Sequence, residues 1–292
     1  MPFFIPDLSA WVGNSPNFDA IAAAPDMVGC IIKSSQGIGP GVSPQYGHSR
    51  TWFRDNWPRV RAAGGPRYGK SWFRGCYHFA STTSSGTAQA DHVLATVERA
   101  GGWSFGDLPP AWDLEGAAWT SRQQIVDSSS QFAERITQKL GRAPILYTGS
   151  VWRKFNVKER AGFAAMWTPH MDKMAPFGWP NSSILLHQYV GDGKYWNPSS
   201  EPAKRGYPTS VPGLDAKVDM NVILDGGVPA TSIERVRELL TGPGSALVPA
   251  EGTPRPATSK RSGISIPLAV GIGASLLTLG ILIARAGRDE LA

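Results

Sequence analysis

Short apolar runs alternate with amphipathic stretches over roughly the first 240 residues. The runs Phe3–Leu8, Gly29–Ser34, Gly75–Phe79, Pro110–Leu114, Pro144–Tyr147, Ala165–Trp167, Ile184–Tyr189 and Ala216–Met220 have the length and composition of strands. Between them, residues 52–63, 87–100, 121–140 and 150–162 carry helical patterning. The clearest helix is 121–140: Ile125, Phe132, Ile136 and Leu140 share a face, and Gly141 follows as a C-cap. At 231–241, Thr231 and Glu234 have capping-box spacing. There Ile233, Val236, Leu239 and Leu240 form the apolar stripe, and Gly242-Pro243 stops it. Strands alternating with helices predict an α/β fold, either parallel strands closed into a β/α barrel or an open doubly wound sheet.

The pattern changes after residue 243. Residues 244–262 set Pro249, Pro254 and Pro256 among small polar residues, which predicts a semi-extended tether. Ile264 to Ala284 is a run of 21 uncharged residues. As a helix it is about 31 Å long, the thickness of a bilayer's hydrocarbon core. The expected organisation is a folded domain at 1–243, a Pro-rich tether at 244–262, a transmembrane helix at 263–285 and a tail at 286–292. Residues 264–284 would anchor the chain in a lipid bilayer by its C-terminus. Ala269/Gly273 and Gly271/Ser275 are spaced for helix–helix contacts there. The N-terminal MPFFIPDLSAW has no basic segment followed by an apolar one, so no secretory leader is expected.

Composition narrows the function. Of 292 residues, 41% are hydrophobic and 18% charged, which excludes disorder throughout. The net charge of +6 comes without a Lys/Arg-rich block, so no nucleic-acid partner is expected. Cys30 and Cys76 are too few for a disulfide scaffold and are expected to be reduced core thiols. No strand is followed by GxGxxG or GxxxxGK[ST], and the five histidines show no tight ligand spacing. Neither a cofactor nor a metal is expected.

The C-terminal ends of the predicted strands are polar: Asp7, Gln36, Tyr77-His78, Asp113 with Glu115, Tyr147, Gln188-Tyr189, and Asp219 with Asn221. Barrel enzymes place their chemistry at those ends. Asp113 and Glu115 stand at i and i+2 on a nearly apolar strand, so both point to one face. Desolvation and mutual repulsion raise one pKa of such a pair and make it a general acid near neutral pH. Glycoside hydrolysis uses two carboxylates in this way.

Eight segments in chain order add a family to this reading. They are Asp7-Leu8-Ser9 with Trp11, Ile31 to Gly37, Gly75 to Phe79, Gln89-Ala90, Asp113-Leu114-Glu115, Gly141 to Tyr147, His187-Gln188-Tyr189 and Val218 to Asn221. Together they resemble the glycoside hydrolase family 25 lysozymes, the Chalaropsis-type muramidases, over residues 3–228. The resemblance implies an incomplete β/α barrel. It implies peptidoglycan as substrate, cut at the β-1,4 bond between N-acetylmuramic acid and N-acetylglucosamine. By the same resemblance Glu115 is the general acid and Asp113 its partner at the substrate's N-acetyl group. Asp7 and Asp219 would be further catalytic acids. Gln36, Tyr77, His78, Tyr147, Trp167, Gln188 and Tyr189 would bind substrate. The sequence departs from the family at Trp167-Thr168-Pro169-His170, around Gly39–Arg50 and at Trp52–Trp57. A membrane-anchored lytic enzyme of a phage virion or a bacterial envelope is the expectation. The alternative is a structural protein that binds glycan without cutting it, against which the full set of acids argues.

Overall fold

The computed structural model describes residues 1–41, 50–64, 72–116, 118–169, 179–191, 193–195, 198–214 and 218–241. The transmembrane helix and tether expected beyond residue 243 lie outside these residues, as do His170 and most of the Gly39–Arg50 segment. Among the described residues no helix is long and apolar enough to cross a membrane.

Eight strands form a closed ring: β1 (Phe4–Leu8), β2 (Gly29–Gln36), β4 (Phe73–Phe79), β5 (Ala111–Leu114), β6 (Ile145–Thr148), β7 (Ala165–Pro169), β8 (Ile184–Gly191) and β10 (Asp219–Asp225). The short strands β3 (Gly39–Pro40), β9 (Lys194–Tyr195) and β11 (Val228–Pro229) hang from β2, β8 and β10. Pairing is parallel from β1 through β8. β10 closes the ring and is antiparallel to both neighbours, β8 and β1. The expectation of uniformly parallel strands is corrected at this one element. Its range is corrected too, from Ala216–Met220 to Asp219–Asp225. The ring of strands closes, which decides for the barrel over the open doubly wound sheet. The outer ring of helices is uneven: α1 (Phe18–Ala23), α2 (Trp52–Ala63), α3 (Gly86–Arg99), α4 (Arg122–Leu140), α5 (Ser150–Lys154), α6 (Glu201–Lys204) and α7 (Ile233–Thr241).

Local chemistry fixes the helix ends. Ser85 Oγ accepts from Ala88 N at 3.2 Å and Ser121 Oγ from Gln124 N at 3.1 Å, so each caps an orphan donor of its helix. Gly141 ends α4 in the left-handed region, φ 67°, and donates to Thr137 O at 2.9 Å. The helix expected over 150–162 stops at Lys154, because Asn156 takes φ 48° and breaks the helical path. The six-residue α1 shows no long periodic pattern, and its start rests on the Asn17 cap at 3.1 Å from Ala20 N.

The core has two layers. Inside the barrel, Ile5, Val28, Ile31, Phe73, Ala111, Ile145, Leu186 and Ile223 pack together. Val236 and Leu240 of α7 join them at the end where the parallel strands begin. Outside, Trp57, Val93, Trp112, Phe132, Ile136 and Trp152 fill the space between strands and helices. Cys30 and Cys76 are buried free thiols in this outer layer.

Candidate active site

Alternation along each strand sends every second side chain into the barrel. The residues that follow the apolar interior layer therefore collect at the rim. Asp7 follows Ile5, Tyr77 follows Gly75, Asp113 follows Ala111, Tyr147 follows Ile145, Trp167 follows Ala165 and Gln188 follows Leu186. These six, with Glu115 and Asp219, line one pocket. Asp219 reaches it from the first residue of β10 because that strand runs the other way.

A chain of hydrogen bonds fixes the floor of the pocket. Tyr147 Oη donates to Gln188 Oε1 at 2.9 Å, and Gln188 Nε2 donates to Asp7 Oδ2 at 3.4 Å. Asn221 Nδ2 donates to the same Asp7 oxygen at 2.8 Å and to Ile5 O at 2.9 Å. Trp167 Nε1 donates to Asn221 Oδ1 at 2.6 Å. Every member is buried or nearly so, which makes the network rigid. Three aromatic rings form the walls. Trp167 meets Tyr147 edge-on with centroids 4.9 Å apart, and Tyr77 at 6.2 Å.

The pocket concentrates negative charge against a poor solvent. Burial pushes the Asp7 carboxyl well above its ordinary range, and Asp219 adds to this, while the Asn221 and Gln188 donors oppose it. Burial also drives Asp113 well up, followed by repulsion from Glu115, with the Lys33 ammonium opposing. Asp113 Oδ1 has no hydrogen-bond partner among the described residues. Glu115 is raised by burial and by Asp219, and Lys33 pulls it down. Glu115 is the exposed member of the pair, beyond the last residue of β5, while Asp113 is buried at 5% exposure. Trp119 Nε1 donates to Glu115 O at 3.2 Å and holds that turn. Tyr77 and Tyr147 are raised well above the ordinary phenol range by burial and then by the carboxylates, so they stay neutral.

Three expected substrate-binding residues are not in this pocket. His78 points to the other face of β4 and is fully buried between strand and helices. Its ring stacks on Trp112 and Phe132, with centroids at 5.5 and 5.9 Å. Gln89 Nε2 donates to Ser81 O and Ser84 O, so its Oε1 accepts from His78 Nε2 at 3.0 Å. His78 Nδ1 then accepts from Ser35 Oγ at 2.8 Å. Burial lowers this imidazole to about 3, which keeps it neutral. Tyr189 also faces outward, packs on Phe4 and Tyr207, and donates to Pro208 O at 2.9 Å. Gln36 stands exposed at the end of β2, where its Oε1 accepts from Lys33 Nζ at 3.2 Å. Two residues absent from the expected set act on the site without lining its pocket, Asn221 through Asp7 and Lys33 through Asp113 and Glu115. Strand alternation identifies Lys33, two residues after inward Ile31. Asn221 stands in a quoted motif but reads as a rim residue only once β10 is known to be antiparallel.

The glycosyl hydrolases family 25 model matches residues 48–196. "Uncharacterized protein YegX" of Escherichia coli K12 is 27% identical over 171 residues, 59% of this chain and 53% of that protein. The chain spans about half the length of the YegX relatives it matches. The "N,O-diacetylmuramidase" of Arthroderma benhamiae is 29% identical over 150 residues, 45% of this chain and 63% of that protein. Among solved structures, the bacterial lysozyme from Streptomyces coelicolor has a TM-score of 0.60 at 25% identity, covering 82% of this chain and 98% of its own. The family GH25 lysozyme from Aspergillus fumigatus shares the fold, with a TM-score of 0.58 at 21% identity over 83% of this chain and 100% of its own. With a family model matched over half of its length and a barrel of the same shape around a ring of acids, this chain belongs to the glycosyl hydrolases of family 25.

Proposed function

We propose that the chain is a muramidase that hydrolyses the β-1,4 bond between N-acetylmuramic acid and N-acetylglucosamine in peptidoglycan. The observation that carries this reading is the convergence of Asp7, Asp113, Glu115 and Asp219 on one aromatic-walled pocket at the barrel rim. Glu115 is exposed there and donates its proton to the leaving glycosidic oxygen. Asp113 lies deeper and accepts from the N–H of the substrate's 2-acetamido group. That contact turns the amide oxygen toward the anomeric carbon. Both carboxyls stand on one strand face, two residues apart, an arrangement that favours assistance by the substrate's own amide over a water held between opposed acids. The amide oxygen forms a bond to the anomeric carbon as the bond to the leaving oxygen breaks. Water, deprotonated by Glu115, then opens the cyclic intermediate and returns the proton to Glu115. Asp7 and Asp219 hold the sugar and, through their charge, keep the pair from losing both protons. Tyr77, Tyr147 and Trp167 offer ring faces and edges to the sugar, and Gln188 an amide. Digestion of purified peptidoglycan, followed by mass spectrometry of the fragments, tests this. Products with N-acetylmuramic acid at the reducing end support it, and intact glycan strands refute it.

The same reading extends to location. Residues 264–284, uncharged and long enough to span a bilayer, hold the enzyme to a membrane, with 244–262 as the tether. A bacterial envelope or a phage virion's internal membrane is the setting in which an anchored muramidase meets its substrate. Partition of the full chain into the detergent phase supports the anchor. A full chain that remains in the aqueous phase, monomeric without detergent, refutes it.

A further inference from the structure

The barrel's strands each send an inward side chain to the rim, and all but one of these belong to the pocket already described. The remaining one, on β2, is Lys33. It stands two residues beyond Ile31, which belongs to the interior core, so it shares that inward face. Its position is over-determined. Nζ donates to Gln36 Oε1 at 3.2 Å and lies 4.8 Å from the centroid of Phe79. Phe79 is in turn the Cα partner of Asp113 on β5. Behind the stem, a Cβ on Gly41 would stand only 3.0 Å from Lys33 Cγ, so the backbone packs directly against the side chain. Its charge acts on Asp113 and Glu115 of β5 and its following turn, and on His78 on the outer face of β4. Asp7 from β1, Tyr77 from β4, Tyr147 from β6 and Asp219 from β10 line the same rim pocket as the two acids. Four of these groups are acids, two are neutral phenols and one is a neutral imidazole. Burial disfavours the ammonium, and Asp113 and Glu115 are what stabilise it.

We propose that Lys33 is a positioning residue for the acid pair: its ammonium, pinned between Gln36 and Phe79, lets one carboxyl of Asp113 and Glu115 ionise while the other keeps its proton, and so sets the pH range of catalysis. Without a cation, four converging carboxyls hold their protons to higher pH, and the partner acid is silent under conditions where the general acid is ready. A single ammonium beside two carboxyls removes one proton from the pair without removing both. The inference rests on the hydrolytic reading for its effect on rate; its effect on titration does not depend on that reading.

Lys33→Met keeps the length of the stem and removes the charge; Lys33→Arg keeps the charge. An opposite charge within about 4–6 Å shifts a carboxyl by roughly 1–3 pH units. In Lys33→Met both limbs of the kcat/KM profile on peptidoglycan are therefore expected to move alkaline by about one unit or more, because both the acid and its partner hold protons longer. Lys33→Arg should bring the profile back toward that of the unsubstituted enzyme. Carboxyl-carbon NMR titration of Asp113 and Glu115 in the full chain measures the same shift without turnover. A Lys33→Met profile that superimposes on the parent's, with only a lower rate, overturns the proposal, as do unshifted titration curves. If the unsubstituted chain leaves peptidoglycan intact, the hydrolytic reading fails, and the titration still decides the role of Lys33.

Discussion

Asp7 and Asp219 are Cα partners across the antiparallel pairing of β1 and β10. Like charges directly opposite on neighbouring strands are destabilising. Here the site is also buried, and Asp219 is the second cause, after burial, of the upward shift at Asp7. The Asn221 and Gln188 amides on Asp7 offset part of that cost. The one antiparallel strand of the barrel thus puts a second acid next to the first. That proximity adds to burial in raising the carboxyls of the rim.

Glu115→Gln keeps the shape of the turn and removes the proton donor. Loss of a general acid costs roughly 10²–10⁴-fold in rate. Asp113→Asn should cost as much, because a neutral amide no longer draws the substrate's acetamido N–H. Initial rates of peptidoglycan clearing check both, with thermal melts showing that the fold persists. A Glu115→Gln variant that clears at near the parent rate removes Glu115 from the role of acid.

The raised carboxyls predict that stability falls as pH rises. Below the unfolded-state value of about 3.9, an Asp is protonated both folded and unfolded and contributes no pH dependence. Above it the unfolded chain releases its proton while the folded protein, with Asp113 and Asp7 shifted well up, retains it. Folded protein then binds more protons than unfolded, so stability declines until the folded-state values are passed. Asp113→Asn removes that penalty and gives up no hydrogen bond to Oδ1 present among the described residues. It should melt a few degrees higher than the parent at pH 7 and within about a degree of it at pH 4. An inactive but stabilised variant is the signature of an acid kept for chemistry. A lower melting temperature at pH 7 would mean that Asp113 supports the fold.

Much of this arrangement was legible in the sequence, and the exceptions have definite causes. Helix Arg122–Leu140 was readable because Ile125, Phe132 and Ile136 repeat on one face and Gly141 marks its C-terminal end; Ser121, which the pattern puts inside the helix, is its N-cap. The acids at 7, 113 and 115 were readable because parallel strands end at the rim. Asp219 reaches the rim for a different reason, at the start of an antiparallel strand. Local alternation does not encode strand direction, so a strand ending there and one beginning there look alike. His78 and Tyr189 differ from the expectation by one step of the pleat, since a rim residue and its neighbour face opposite sides. Lys33 carries no such signal in its residue type, because a lysine near a strand end ordinarily reads as a solvated charge.

Helix α3 meets the backbone of α4 at Gly86. A Cβ there would lie 1.8 Å from Ser128 O and 2.8 Å from Phe132 N, backbone atoms that cannot turn aside. Gly86→Ala must therefore push the helices apart and disturb Phe132, whose ring lies 4.3 Å from that of Trp112. Overpacking of this kind costs about 1–3 kcal/mol. Urea denaturation should show the loss. Activity per folded molecule should hold, because the acids ride on strands rather than on these helices.

At the other end of the barrel, Arg74 and Asp107 form an ion pair with both side chains at 4% exposure. Arg74 Nε and Nη2 meet the two Asp107 oxygens at 2.9 and 2.6 Å, the paired geometry that suits a guanidinium to a carboxylate. Its remaining donors reach Trp57 O at 3.0 Å and Gly102 O at 3.3 Å, and its Cζ lies 3.7 Å from the centroid of the Trp57 ring. Asp107 also accepts from Ser104 N at 2.7 Å. Asp107→Ala strands a buried guanidinium, and breaking a buried pair on one side costs about 3–5 kcal/mol. That is a large share of the roughly 5–15 kcal/mol that holds a typical domain folded. Removing both charges, in Arg74→Met with Asp107→Leu, leaves no buried uncompensated ion, because Arg61, which also meets Asp107 at 3.8 Å, is half-exposed to water; it should recover much of the loss. Arg74 is the second residue of β4 and Tyr77 lies further along toward the rim, so neither variant reaches the acids. Urea midpoints should therefore fall steeply for Asp107→Ala and partly recover in the double variant, with clearing activity per folded molecule constant in both. A double variant no more stable than Asp107→Ala would show that the hydrogen bonds to Trp57, Gly102 and Ser104 stabilise the barrel's base more than the charge pair does.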